Sequence, residues 1–133
     1  MRWAVQTWPH MTYGMYASAF RMANPKVRLQ RGILCLSFDC DYEEDMLAVS
    51  PLQELLDRHN FQASWFLIGS WVRKFPETVG RLLAAGHEVA NHTMTHPDNS
   101  STRPGDSRKF DQVSAGERRE EILTAMDDLL AAD

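Results

Sequence analysis

Gly32-Ile33-Leu34-Cys35-Leu36-Ser37-Phe38-Asp39-Cys40-Asp41 is a glycine, a short apolar run and then two carboxylates two positions apart. A run of this length after a glycine reads as a buried β-strand. Side chains alternate along a strand, so Leu34, Leu36 and Phe38 share one face while Cys35, Ser37, Asp39 and, one step on, Asp41 share the other. Unpaired ionised carboxylates are costly to bury, which marks this strand end as something other than core.

The remaining elements follow outward from this strand. Asp41 to Asp45 reads as an acidic loop. Ser50-Pro51-Leu52-Gln53 has the form of a helix start, with Ser as N-cap and Pro at the first helical position. Leu52, Leu55, Leu56 and His59 then recur at helical spacing. Gln62 to Ile68 reads as a second strand closed by Gly69, and Pro76 to Ala85 as a second helix with Val79, Leu82 and Leu83 as its apolar stripe and Gly86 as its stop. A third strand, His87 to Asn91, follows at once. Residues 97–113 are loop-like, and a loop of that length in a compact domain is usually functional or disordered. Ser114-Ala115-Gly116-Glu117 is a capping box, and the helix behind it carries Ile122, Leu123, Met126, Leu129 and Leu130. The order β-α-β-α-β-loop-α implies an α/β fold with parallel pairing and right-handed crossovers.

The chain has 133 residues, 44% of them hydrophobic and 24% charged, and a formal net charge of −4. That length fits one domain, and that charge argues against nucleic acid or an anionic membrane as partner. No apolar run approaches the roughly 20 residues of a spanning helix. The first 20 residues are interrupted by Gln6, Pro9, His10, Thr12 and Gly14 and make a poor signal-peptide core. The expected localisation is therefore cytoplasmic. Residues 1–31 read as an N-terminal extension and 32–133 as the domain. Cys35 and Cys40, five apart on one strand, point to opposite faces and form no disulfide framework.

His92 and His96 come directly after the third strand. Spaced four apart, they share a face if the segment turns helically, a common way to hold a transition metal. In a parallel α/β sheet ligands bind beyond the carboxyl ends of the strands. Asp39 and Asp41 lie at that end of strand one, and His92 and His96 at that end of strand three. Two imidazoles and one carboxylate leave metal positions open for water or substrate. The other carboxylate is free to act as a base on the activated water. The implied chemistry is hydrolysis of an amide or ester.

The stretches Leu36 to Asp41, Ala63 to Gly69 and Gly86 to Pro97, in this order and spacing, resemble the polysaccharide deacetylase family, also called the NodB-homology or carbohydrate esterase 4 family. The resemblance covers roughly residues 32–133. It implies a distorted (β/α) barrel, TIM-barrel-like, of which this chain holds the first half, and removal of acetyl groups from N-acetylated sugars with zinc or a related divalent metal (cobalt, nickel or manganese). By the same resemblance Asp39 is the catalytic base, Asp41 the metal-binding aspartate, and His92 and His96 the metal-binding histidines. Many members have adjacent aspartates, whereas Cys40 intervenes here. Members continue into an Arg-Pro-Pro-like motif, an aspartate motif and a late His acting as general acid, all beyond the end of this chain. Arg103-Pro104-Gly105 precedes the final helix and is not that motif; His10, His59 and His87 are not convincing acids.

The expected function is thus a metal-dependent sugar deacetylase, incomplete as this chain, acting on an acetylated carbohydrate. The alternative is a non-catalytic metal-binding half-domain that needs a partner or the missing C-terminal half. On either reading an oligomer covering the open sheet edge is an expected partner. A third reading, Asp39-Cys40-Asp41 as the metal-nucleotide site of a glycosyltransferase, is disfavoured by His92 and His96.

Overall fold

A computed structural model describes residues 34–132. Three short parallel strands form one sheet in the order β1-β2-β3: β1 is Ser37–Cys40, β2 Ser64–Leu67 and β3 Glu88–Asn91. The register aligns Asp39 with Phe66 and Ala90, and Cys40 with Leu67 and Asn91. Four helices connect and follow them: α1 (Glu43–Arg58), α2 (Gly69–Lys74), α3 (Pro76–Ala84) and α4 (Ala115–Ala132). Each strand therefore returns to the sheet through helix, as the alternating pattern requires.

The two sheet faces differ. Trp65 and Leu67 of β2 and Cys40 of β1 are buried with Met46, Val49 and Leu56 of α1, Trp71 and Val72 of α2, and Val79 and Leu82 of α3. Val49, Leu67, Ile68, Val79 and Leu82 are fully buried, each contributing roughly 1.5–3 kcal/mol relative to exposure. Ser37 and Asp39 point to the opposite face and are exposed. The first strand is thus buried on one face only.

Three features differ from the sequence expectation. Helix α1 begins at Glu43 with Tyr42 as N-cap, not at Pro51 with Ser50 as N-cap. The Asp45 carboxylate accepts the backbone N–H groups of Asp41 and Tyr42, at 3.0 and 2.8 Å. Glu43, Glu44 and Asp45 complement the dipole in the first turn, so the acidic stretch is a helix start and not a loop. Pro51 is tolerated inside the helix. It removes the bond to the Leu47 carbonyl, but both residues are exposed, so that carbonyl is open to solvent. The short helix α2 has no counterpart in the sequence reading; six residues are too few for a legible period. In α4 the expected apolar side divides. Ala125 is buried and Leu129 packs on the core, whereas Ile122, Met126 and Leu130 are exposed.

The Ser114 capping box is present: Ser114 N–H donates to Glu117 Oε2 at 3.0 Å, and Glu117 N–H to Ser114 Oγ at 3.2 Å. Gly86 closes α3 at φ +81°, a left-handed conformation that suits glycine. Cys35 is exposed, Cys40 is buried, and both are free thiols.

Candidate metal centre

His92 continues β3 past its last residue. Its N–H donates to the Leu67 carbonyl at 3.0 Å, and its ring meets Phe66 edge-on at 6.1 Å. After it the backbone turns sharply, with Thr93 at φ 67° and His96 at φ 51°. Neither is glycine, and a β-branched residue there is a true outlier; such conformations cost about 1–3 kcal/mol each and persist only when surrounding bonds hold them. Those bonds are present. Thr93 N–H donates to Asn91 Oδ1 at 2.8 Å and His96 N–H to Thr93 Oγ1 at 3.0 Å. Gly69 and Ser70, opening α2, donate to the Thr93 and Met94 carbonyls at 2.9 and 3.0 Å. A Cβ on Gly69 would lie 2.6 Å from Met94 Sδ and 3.2 Å from the Cα and Cβ of Ala125, so a side chain here would displace Met94 and press on the Ala125 backbone.

Asp41 reaches the same place from the end of β1. The Asp41 carbonyl accepts Trp71 Nε1 at 3.2 Å and the side-chain amide of Asn99. Asn99 is buried, and its N–H donates to the His96 carbonyl at 2.9 Å. One loop residue therefore ties the Asp41 strand end to the His96 turn, which gives the long 97–113 segment a supporting role at the rim.

The result is a convergence of three donors. Asp41 Oδ1 lies 3.0 Å from His92 Nε2 and 3.8 Å from His96 Nε2, and the three donor atoms all fall within 4.8 Å of one another. Ligands about 2.1 Å from a tetrahedral ion stand about 3.4 Å apart, a value these two distances bracket. Asp41 Oδ1 is buried without an aligned hydrogen bond, which leaves it available to a cation. Burial holds the His92 imidazole below its ordinary pKa, against the opposing pull of the Asp41 and Asp39 charges. Neutral imidazole is the form that ligates metal. The donor set of two nitrogens and one carboxylate oxygen fits a divalent transition metal.

Asp39 is not one of these three donors. It is exposed on the open face of β1, with its charge acting on His92. Between the carboxylates, Cys40 turns into the core, where burial and then Asp45, Asp41 and Asp39 push its thiol up to about 12. The other described histidines lie elsewhere. His59 caps the far end of α1, and His87 is buried ahead of β3, at the amino rim. Asn91, Asn99, Trp71 and Glu121 support the site but carry no legible sequence signal, because each is an ordinary residue for its loop or helix until the turn is built.

The polysaccharide deacetylase family model matches residues 26–131. This chain belongs to that family. A chitooligosaccharide deacetylase of Bradyrhizobium sp. (strain ANU 289) is 43% identical over 72 residues, 54% of this chain and 28% of the relative. The peptidoglycan deacetylase PdaC of Bacillus subtilis superposes with a TM-score of 0.64 at 24% identity, over 80% of this chain and 46% of the other, a likeness of fold. A mutant of BA3943, a CE4 family pseudoenzyme, superposes with a TM-score of 0.60 at 25% identity, over 79% of this chain and 34% of the other. The chain thus spans less than half the length of each. The family's barrel architecture accounts for the helices lying on one face of the parallel sheet. Among the described residues, no helix is long and apolar enough to cross a membrane.

Proposed function

We propose that this polypeptide carries the metal-binding part of a sugar deacetylase, with Asp41, His92 and His96 holding a divalent ion and Asp39 acting as base. The observation that carries the reading is the convergence of three donors from two strand ends, at separations suited to one ion. Membership in the family supports the class of chemistry, and the named chitooligosaccharide deacetylase relative supports an N-acetylated sugar as substrate. Zinc is the proposed ion; cobalt, nickel and manganese suit the same donors less selectively.

A bound ion would supply Lewis acidity, polarising the acetyl carbonyl and making a water acidic enough to attack it near neutral pH. The protein's part is orientation and proton handling. His92 is fixed by the strand ladder, and Asp41 by Trp71 and Asn99. Asp39 faces the open side of the sheet, where an attacking water would give up its proton; a positioned base of this kind contributes 10²–10⁴-fold. Ser37, Ser64 and Phe66 on the same face offer a surface for a sugar ring.

Incubating the chain with zinc and N-acetylglucosamine oligomers, and measuring free amine and acetate in equal amounts, tests the reading. Release that stops with a chelator and with Asp39→Asn is the expected result. The second reading is a metal-binding unit without turnover of its own, which the BA3943 likeness favours; metal uptake with no acetate release from any acetylated sugar would select it.

A further inference from the structure

Helix α4 touches the histidine turn at two points, each immediately before a proposed ligand. The Asn91 side-chain amide donates to the Ile122 carbonyl at 2.8 Å. One residue earlier on the helix, Glu121 takes Thr95 with both oxygens: Thr95 N–H donates to Oε2 at 2.7 Å and Thr95 Oγ1 to Oε1 at 2.6 Å. Asn91 precedes His92 and Thr95 precedes His96.

From this we infer that Glu121 is a positioning residue for the metal centre, holding Thr95 so that His96 stays in register with His92 and Asp41. The inference rests on the metal reading above. Charge-assisted bonds to a carboxylate are the stronger kind, and a two-pronged grip adds direction. The Glu121 side chain is only 11% exposed, and Arg103 Nη1 stands 3.7 Å from Oε1, so the carboxylate has a counter-charge. Arg103 is itself held by Asp106. The bonds that α2 makes to the turn reach the Thr93 and Met94 carbonyls, and Thr102 bonds the Thr95 carbonyl. Glu121 takes the N–H side of Thr95, immediately beside the left-handed His96.

Its removal would fall unequally on the ligands. His92 is anchored in the strand ladder by its own N–H. His96 has no such anchor and depends on the turn. Loss of the Glu121 grip leaves the Thr95 amide unpaired in a partly buried place, and the His96 side of the donor triangle opens.

Cobalt titration of the full chain, with chelator competition and visible absorption, tests this in wild type, Glu121→Ala and Thr95→Val, with metal-free melting curves alongside. Outer-shell partners of ligating histidines typically set 10–100-fold of metal affinity, so Glu121→Ala should lose that much and shift the cobalt spectrum toward fewer protein ligands. Thr95→Val removes one hydroxyl, should lose less, and should add nothing to Glu121→Ala in the double variant. A purely structural role would lower the melting temperature and leave affinity and spectrum alone. Wild-type uptake with both variants within about twofold, below the 10–100-fold scale of such partners, overturns this inference alone. If Glu121→Ala does not fold, Thr95→Val decides. A wild type that takes no cobalt overturns the metal reading and this inference with it.

Discussion

The two ends of β3 each place a histidine beside an aspartate, and they do different things. At the amino rim, His87 Nε2 stands 3.3 Å from Asp57 Oδ1; at the carboxyl rim, His92 Nε2 stands 3.0 Å from Asp41 Oδ1. His87 is a core residue. Its Nδ1 accepts the Ala63 N–H at 3.2 Å and its ring packs edge-on against Trp65 at 6.0 Å. Among the described residues no second histidine joins it, and the left-handed position beside it is taken by Gly86, which adopts it without strain. At the other end a third donor, His96, closes on the same carboxylate oxygen, and Thr93 and His96 sit in strained backbone. A histidine–aspartate contact alone does not make a site. Convergence of three donors on one point, held at a cost in backbone strain, is what supports the proposed site.

The comparison breaks most visibly on metal. Zinc at about 100 times its dissociation constant should stabilise the wild-type chain by about 2.7 kcal/mol. His92→Ala should lose that stabilisation entirely, as judged by thermal melts with and without zinc. An undiminished shift in that variant would mean the ion, if any, binds elsewhere. His87→Ala should do the reverse. Leaving a cavity beside Trp65 and an unpaired Ala63 N–H should cost about 2–4 kcal/mol in denaturant unfolding, while the zinc shift persists in the folded fraction. Equal stability in His87→Ala would contradict its role as core.

Gly69→Ala sharpens the contrast, since the Gly69 side-chain position serves the carboxyl rim through packing and its backbone bond to Thr93 survives the substitution. Its new Cβ would press on Met94 and on Ala125 of α4, so about 1–3 kcal/mol of stability should go, and zinc affinity should fall with it because the turn is displaced. Stability lost with affinity intact would show that the turn tolerates movement. The smallest effect concerns reactivity. Cys40, with its thiol pushed up to about 12, should resist iodoacetamide at about pH 8 while the exposed Cys35 reacts, as thiolate chemistry requires. Mass spectrometry should find one label per folded chain and two after unfolding.

Much of the carboxyl rim was legible because its logic is topological. Alternation along β1 and the parallel crossovers were enough to bring Asp39, Asp41, His92 and His96 to one edge. The resemblance separated the two carboxylates, and the geometry groups Asp41 with the histidines. What stayed hidden was whatever depends on distant partners. Ser50-Pro51 imitates a helix start, and only the Asp45 bonds to Asp41 and Tyr42 reveal that the helix begins eight residues earlier. The Ile122, Met126 and Leu130 row repeats at helical spacing but faces outward, because α4 meets the rest of the fold through Ala125 and Leu129. Glu121 looks like one more solvated acid on that helix. Its work appears only when the turn after β3 is in place.

The four rim residues are proposed to divide the labour, with Asp41, His92 and His96 holding the ion and Asp39 taking the proton. Cobalt titration of Asp41→Asn and Asp39→Asn, each against wild type, tests this division most directly. One ion per chain in wild type and Asp39→Asn, with binding weakened in Asp41→Asn, is the predicted result. Binding weakened in Asp39→Asn and intact in Asp41→Asn would contradict the account.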